Sequence, residues 1–135
     1  MKFTMPPIGL GTWKSPADKA GEAVEYALTK AHYQHIDCAA IYKNEPEIGA
    51  VFEKVFTSKA RKREDVFITS KLWNTEHRRE RVRVACEKTL HDLHIDYLDL
   101  YLMHWGIAIP QNKKVSDTAG AREIEQIDEK GYLIT

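Results

Sequence analysis

The chain has 135 residues, with 20 Lys or Arg balanced by 20 Asp or Glu, and 43% of it is hydrophobic. That is enough apolar material for one core, and the length suits one domain better than two. A formal charge of zero argues against a general electrostatic grip on nucleic acid or an anionic membrane, which needs surplus Lys and Arg on a shared face. The longest apolar run, Tyr97 to Trp105, is broken by Asp99 and His104 and is far shorter than the roughly 20 residues that cross a bilayer. Residues 1–10 lack the apolar core and small-residue cleavage site of a secretory signal. Cys38 and Cys86 are too few and too far apart for a disulfide framework or a zinc site. The expected location is a reducing cytoplasm, with no nucleic-acid, membrane or metal partner.

The first predicted element is a short glycine-containing strand, Ile8 to Trp13. A helix is expected to start at Ser15-Pro16-Ala17-Asp18, with Ser15 as cap and Pro16 in the first turn. Its apolar face is Ala20, Val24, Ala27, Leu28 and Ala31. A small-residue strand, His35 to Ala40, leads through Tyr42 to Asn44, a predicted cap with Glu47 three residues on, before the stripe Ile48, Val51, Phe52, Val55 and Phe56. The strand Val66 to Lys71 follows, then a turn near Trp73-Asn74-Thr75 and a helix carrying Val82, Ala85, Cys86, Thr89, Leu90 and Leu93. A fourth strand spans Tyr97 to His104. Residues 106–135 read as a long loop with a short helical turn at 121–128. The basic stretches Lys59 to Arg63 and Arg78 to Arg83 read as solvated helix ends and faces.

Strands alternating with helices predict right-handed crossovers and a parallel sheet. Equivalent strand positions near 35, 67 and 99 recur every 32 residues, close to the roughly 31 of a (β/α)8 TIM barrel of about 250 residues. The expected fold class is therefore α/β, with the first four or so units of a barrel. In such a barrel catalytic groups gather at the C-terminal ends of the strands. Those ends hold Asp37 and Tyr42, then Lys71, then His104. Taken singly, Asp37 and Lys71 also read as an ion pair at the barrel mouth, Tyr42 as a rim aromatic and His104 as a strand-end histidine. Their recurrence at successive strand ends is what points to a common site.

Four segments carry a family likeness: Met5-Pro-Pro-Ile-Gly-Leu-Gly-Thr-Trp13, His35-Ile-Asp-Cys-Ala-Ala-Ile-Tyr-Lys-Asn-Glu-Pro-Glu-Ile-Gly49, Phe67-Ile-Thr-Ser-Lys-Leu-Trp73 and Asp96-Tyr-Leu-Asp-Leu-Tyr-Leu-Met-His-Trp105. In order and spacing they resemble the N-terminal half of an aldo-keto reductase of the aldose reductase kind, with 1–135 as that half. The resemblance implies NAD(P)H-dependent reduction of aldehydes or ketones, with Asp37, Tyr42, Lys71 and His104 as catalytic tetrad and Tyr42 as proton donor. It further implies that Gly11, Thr12, Trp13 and Asp37 lie beside the nicotinamide, and that Trp13, Ile41, Trp73, His104 and Trp105 wall the pocket of a small carbonyl substrate. The cofactor is NADPH in most of the family, with NADH the alternative. Where the family commonly has proline after the Trp105 position, this chain has Gly106.

The chemistry of the residues agrees with those roles. A tyrosine, with an ordinary pKa of about 10, is a weak acid that needs an electrostatic partner to protonate a developing alkoxide. A Lys71 ammonium favours the phenolate, and Asp37 keeps that lysine charged and aimed. His104 can hydrogen-bond the substrate carbonyl or share the proton transfer. The hydride must come from a cofactor, because no side chain supplies one. The pairs His32 with His35 and His91 with His94 lack a third ligand and read as surface or capping residues. Cys38 reads as core.

Eight strands close such a barrel and about four are visible, which predicts uncovered strand edges. Three expectations follow: a fragment of a longer reductase that is monomeric when complete, a half-barrel that completes its core by pairing with another chain, or a degenerate product without activity; the alternative function is a non-catalytic half-barrel acting as an interaction or oligomerisation module.

Overall fold

The computed structural model describes residues 4–16 and 18–110, so the turn expected at 121–128 lies outside the described residues. Its order is β1 (Leu10–Gly11), α1 (Ala20–Thr29), β2 (His35–Asp37), α2 (Glu45–Thr57), β3 (Phe67–Leu72), α3 (Arg79–Asp92) and β4 (Leu100–Met103). The four strands form one parallel sheet in chain order. Leu10 pairs with Ile36, His35 with Phe67, and Thr69 with Leu100, so β2, β3 and β4 are offset by 32 and then 31 residues. The period in the sequence is thus the register of the sheet, and the β/α alternation is that of a TIM barrel.

Strand alternation divides the sheet into two faces. Ile36 and Ile68 turn outward into a buried core with Ala20, Val24, Ala27 and Leu28 of α1 and Ile48, Phe52 and Val55 of α2. Each of these is at most 4% exposed. Asp37 and Lys71 turn to the opposite face, where His35 Nε2 also meets Thr69 Oγ1 at 2.9 Å. His35 is therefore an inner-face residue and not a surface or capping one. Cys38 is fully buried, as its small-residue setting suggests.

Several element boundaries differ from expectation for local reasons. α1 begins at Ala20, because Asp18 takes φ 61° and a right-handed helix cannot run through it. Ala31 lies beyond the end of α1 and is exposed. β2 stops at Asp37, where the chain turns into a single 3-10 turn over Ala40–Tyr42. β4 is confined to Leu100–Met103. Asn44 does precede α2, but its side chain makes no cap bond. Glu47, expected to complete that cap, instead accepts the Gly21 N–H at 2.6 Å. A carboxylate from α2 thereby satisfies one of the open donors in the first turn of α1 and complements its dipole.

Arg63 likewise departs from the solvated face assigned to it. Its guanidinium donates to the carbonyls of Val66 and Tyr97 and to Asp99 Oδ2, the last two at 2.8 Å, while Asp99 Oδ2 accepts the Ile68 N–H at 2.9 Å. Asp99 interrupts the apolar run because it ties the entry of β4 to β3. Among the described residues no helix is long and apolar enough to cross a membrane.

Candidate active site

Three adjacent strands bring their C-terminal ends together. Lys71, near the end of β3, donates from Nζ to both oxygens of Asp37, at 2.8 and 2.9 Å, and to the Cys38 carbonyl at 2.7 Å. The same ammonium lies 3.3 Å from the Tyr42 hydroxyl, which the 3-10 turn after β2 carries over the end of the sheet. One cation thus sits between a carboxylate and a phenol. Its side chain is 14% exposed, so the Coulomb attraction to Asp37 is screened less than on an open surface.

His104 follows β4 directly, with its N–H bonded to the Leu72 carbonyl at 3.0 Å. Its ring is edge-on to Tyr42, with centroids 5.6 Å apart, and edge-on to Trp73 at 5.3 Å. Trp105 is stacked parallel to it at 6.3 Å. Burial, aided by the Lys71 ammonium, pushes the imidazole below the ordinary histidine pKa. It is therefore neutral at pH 7, and its Nδ1 is buried without a hydrogen-bond partner.

All four tetrad residues predicted from sequence meet at one strand-end face. The expected pocket walls are brought together only in part. Trp73 and Trp105 join the cluster through His104, whereas the half-exposed Trp13 ring lies under the Lys14 ammonium, 4.6 Å from its centroid. Ile41 and Trp73 line a cavity of about 260 Å³ together with Glu45, Thr89 and Tyr101.

Two polar residues near the cluster have partners that sequence reasoning did not anticipate. Asn44 read only as a helix cap, and its amide instead donates to the Thr12 carbonyl at 2.9 Å. Thr12 in turn donates both its N–H, at 3.1 Å, and its hydroxyl, at 3.0 Å, to the Asp37 carbonyl. Glu45 was assigned no role from the sequence. It is 2% exposed, and its carboxyl accepts the hydroxyls of Ser70 at 2.6 Å and Thr89 at 3.3 Å. The partners of Glu45 lie 25 and 44 residues away in sequence, on β3 and α3, so no short-range pattern marks it.

Burial raises Glu45 from the usual carboxylate range to about 7, against the lowering effect of its two hydroxyl donors. The folded state therefore favours the protonated acid. Its stabilising contribution is complete below the unfolded value of 4.5 and is lost as pH rises to about 7. The shift corresponds to stability on the order of 3 kcal/mol. Glu45→Gln, which keeps a neutral group there, is expected to flatten the decline in unfolding free energy between pH 4 and 8, as read by urea titration at each pH. An unchanged decline in the variant would contradict this role.

The aldo/keto reductase family model matches residues 7–133. The chain belongs to this family. It is 61% identical over 105 residues to aldo-keto reductase family 1 member A1 of Homo sapiens, a match covering 77% of this chain and 32% of that protein. The aldose reductase from Giardia lamblia superimposes with a TM-score of 0.80 at 50% identity, over 84% of this chain and 37% of that one. A Bombyx mori aldo-keto reductase solved in complex with NADP gives a TM-score of 0.75 at 34% identity, over 83% and 39% of the two chains. The chain thus spans about a third of the length of the curated relatives it matches.

Members of the family generally use NADP(H). Gly11 pairs in register with Asp37, and a Cβ added to it would meet no atom within 4 Å. The end of β1 beside Asp37 is thus unobstructed, which is compatible with such a group.

Proposed function

We propose that this chain contributes the first strands and the acid–base cluster of an NADP(H)-dependent carbonyl reductase, converting an aldehyde or ketone into an alcohol. The observation that carries the reading is the Lys71 ammonium held between the Asp37 carboxylate and the Tyr42 hydroxyl. When bound, the dinucleotide supplies the hydride that the carbonyl carbon accepts. Gly11, Thr12, Trp13 and Asp37 would hold its nicotinamide end, NADPH being the expected form. As negative charge grows on the carbonyl oxygen, Tyr42 transfers its phenolic proton there, forming the alcohol O–H. Lys71 stabilises the phenolate left behind, and Asp37 keeps the ammonium aimed at it. Solvent then returns a proton to Tyr42.

His104, neutral at pH 7, donates one ring N–H to the carbonyl and fixes its approach. The indoles of Trp73 and Trp105 beside it, with Trp13 and Ile41 contributing at the rim, suit the apolar body of an aromatic or aliphatic carbonyl compound. Residues 1–135 are, in this reading, the N-terminal portion of a barrel, acting in the cytoplasm, where the free thiols of Cys38 and Cys86 stay reduced. Loss of NADPH absorbance at 340 nm on adding an aromatic aldehyde to the purified full chain tests the activity; a steady signal with NADPH bound counts against it.

A second reading, an interaction or oligomerisation module, is favoured by β4. Leu102, Met103 and the adjoining Trp105 are 41%, 66% and 46% exposed along the last strand of the described sheet. Light scattering separates the two. With a nucleotide titration beside it, a folded chain that binds no nucleotide favours the module, interaction if monomeric and oligomerisation if self-associated, and a nucleotide-binding species favours the reductase.

A further inference from the structure

Asparagine at the residue before a helix normally turns its side-chain oxygen onto an open N–H of the first turn. Asn44 has the residue type and the position for this, yet it makes no such bond. Its Nδ2 donates to the Thr12 carbonyl at 2.9 Å, and its Oδ1 is buried without a partner. The reverse orientation of the amide would press two oxygens together, so only one orientation serves Thr12. A side chain that gives up a local bond for a distant one breaks a helix-end rule, and such breaks concentrate where a site needs them.

The contacts around Asn44 close into a ring. Thr12 is 1% exposed and clamps the Asp37 carbonyl with two hydrogen bonds. The Asp37 carboxylate holds Lys71, and Lys71 lies 3.3 Å from the Tyr42 hydroxyl. Tyr42, the last residue of the 3-10 turn, precedes Asn44 by two residues. Lys43 between them takes φ 59°, a conformation that a residue with a Cβ adopts only under restraint from its surroundings.

We propose that Asn44 is a positioning residue, tying the turn that carries Tyr42 to the strand end that holds Asp37 and so setting the distance from Lys71 to the phenol. Its catalytic consequence rests on the reductase reading above. The tether itself can be read without turnover.

Asn44→Asp separates the two roles open to this side chain. Aspartate is a strong helix-cap residue and suits the positive end of α2, but at neutral pH it cannot donate to Thr12. Asn44→Ser also caps and carries no charge, and it is too short to span to the Thr12 carbonyl. In the full chain, both variants are expected to melt no lower than the parent. Turnover with NADPH and an aromatic aldehyde is expected to fall about 10- to 100-fold, as for a small misplacement of reacting groups, with KM held within about threefold. Hydrogen exchange of the Thr12 amide is expected to quicken about tenfold while that of Ile48, inside α2, is unchanged. Parental exchange at Thr12, or parental turnover in both variants, overturns the proposal. If the parent chain reduces no aldehyde, the reductase reading fails and the Thr12 exchange rate alone decides the tether.

Discussion

Tyr42→Phe is expected to lower kcat for NADPH-dependent aldehyde reduction by about 100- to 10,000-fold, the usual contribution of a positioned general acid. The substitution removes one oxygen and leaves the edge-on contact of the ring with His104, so binding of NADPH and the fold should survive. The Lys71 ammonium keeps its bonds to Asp37 and the Cys38 carbonyl in the variant. The expected signature is thus a loss confined to turnover. Steady-state kinetics beside a fluorescence titration with NADPH reads it, and undiminished turnover would remove Tyr42 as proton donor.

Gly49→Ala is expected to destabilise the fold by about 3 kcal/mol, at the upper end of overpacking effects. Gly49 lies where α2 crosses the end of α3. A methyl group there would overlap the Asp92 carbonyl oxygen and stand 2.9 Å from the Leu93 carbonyl carbon and 3.0 Å from its Cα. All three are backbone atoms, which cannot swing away as the tip of a long side chain can. Relief requires α2 and α3 to separate, which loosens the shell holding Glu45 against Thr89 and disturbs the turn before α2. Gly11→Ala supplies the contrast, since open space surrounds that position, and it should shift stability by less than about 1 kcal/mol. Urea unfolding of both variants checks the difference; equal midpoints would show that the crossing is less tight than it looks.

Much of the architecture was legible because it depends on periodicity. The apolar positions of α1 and α2 recur at helical spacing, and the strand spacing of about 32 became the sheet register directly. Asp37, Lys71 and His104 were legible for the same reason, since a parallel sheet delivers each unit's polar strand end to one face, and Tyr42 follows in the turn after β2. Helix ends were less so. Ser15, Pro16 and Asp18 have the composition of a helix start, but the left-handed backbone of Asp18 delays it to Ala20. Asn44 and Glu47 match a capping pair, yet each is used across elements, on Thr12 and on Gly21. Such long-range partners are set by packing and leave no short-range pattern to read. Arg63 was hidden in the same way, a basic residue in a basic run whose guanidinium is nonetheless enclosed by backbone carbonyls and Asp99.

The cluster at the strand ends is held by short-range contacts. Its electrostatics are local: Lys71, Asp37 and Tyr42 hold one another within hydrogen-bond reach, and His104 is kept neutral by burial and by the same ammonium. Trp105, stacked parallel to the His104 ring, is half-exposed.

The most direct measurement follows the hydrogen itself. The full chain is incubated with NADPH dideuterated at nicotinamide C4 and an aromatic aldehyde, and the alcohol is analysed by mass spectrometry. The predicted result is an alcohol carrying one deuterium on its carbinol carbon, formed far more slowly by Tyr42→Phe. An alcohol without deuterium, or no alcohol although NADPH is bound, would contradict hydride transfer at this site.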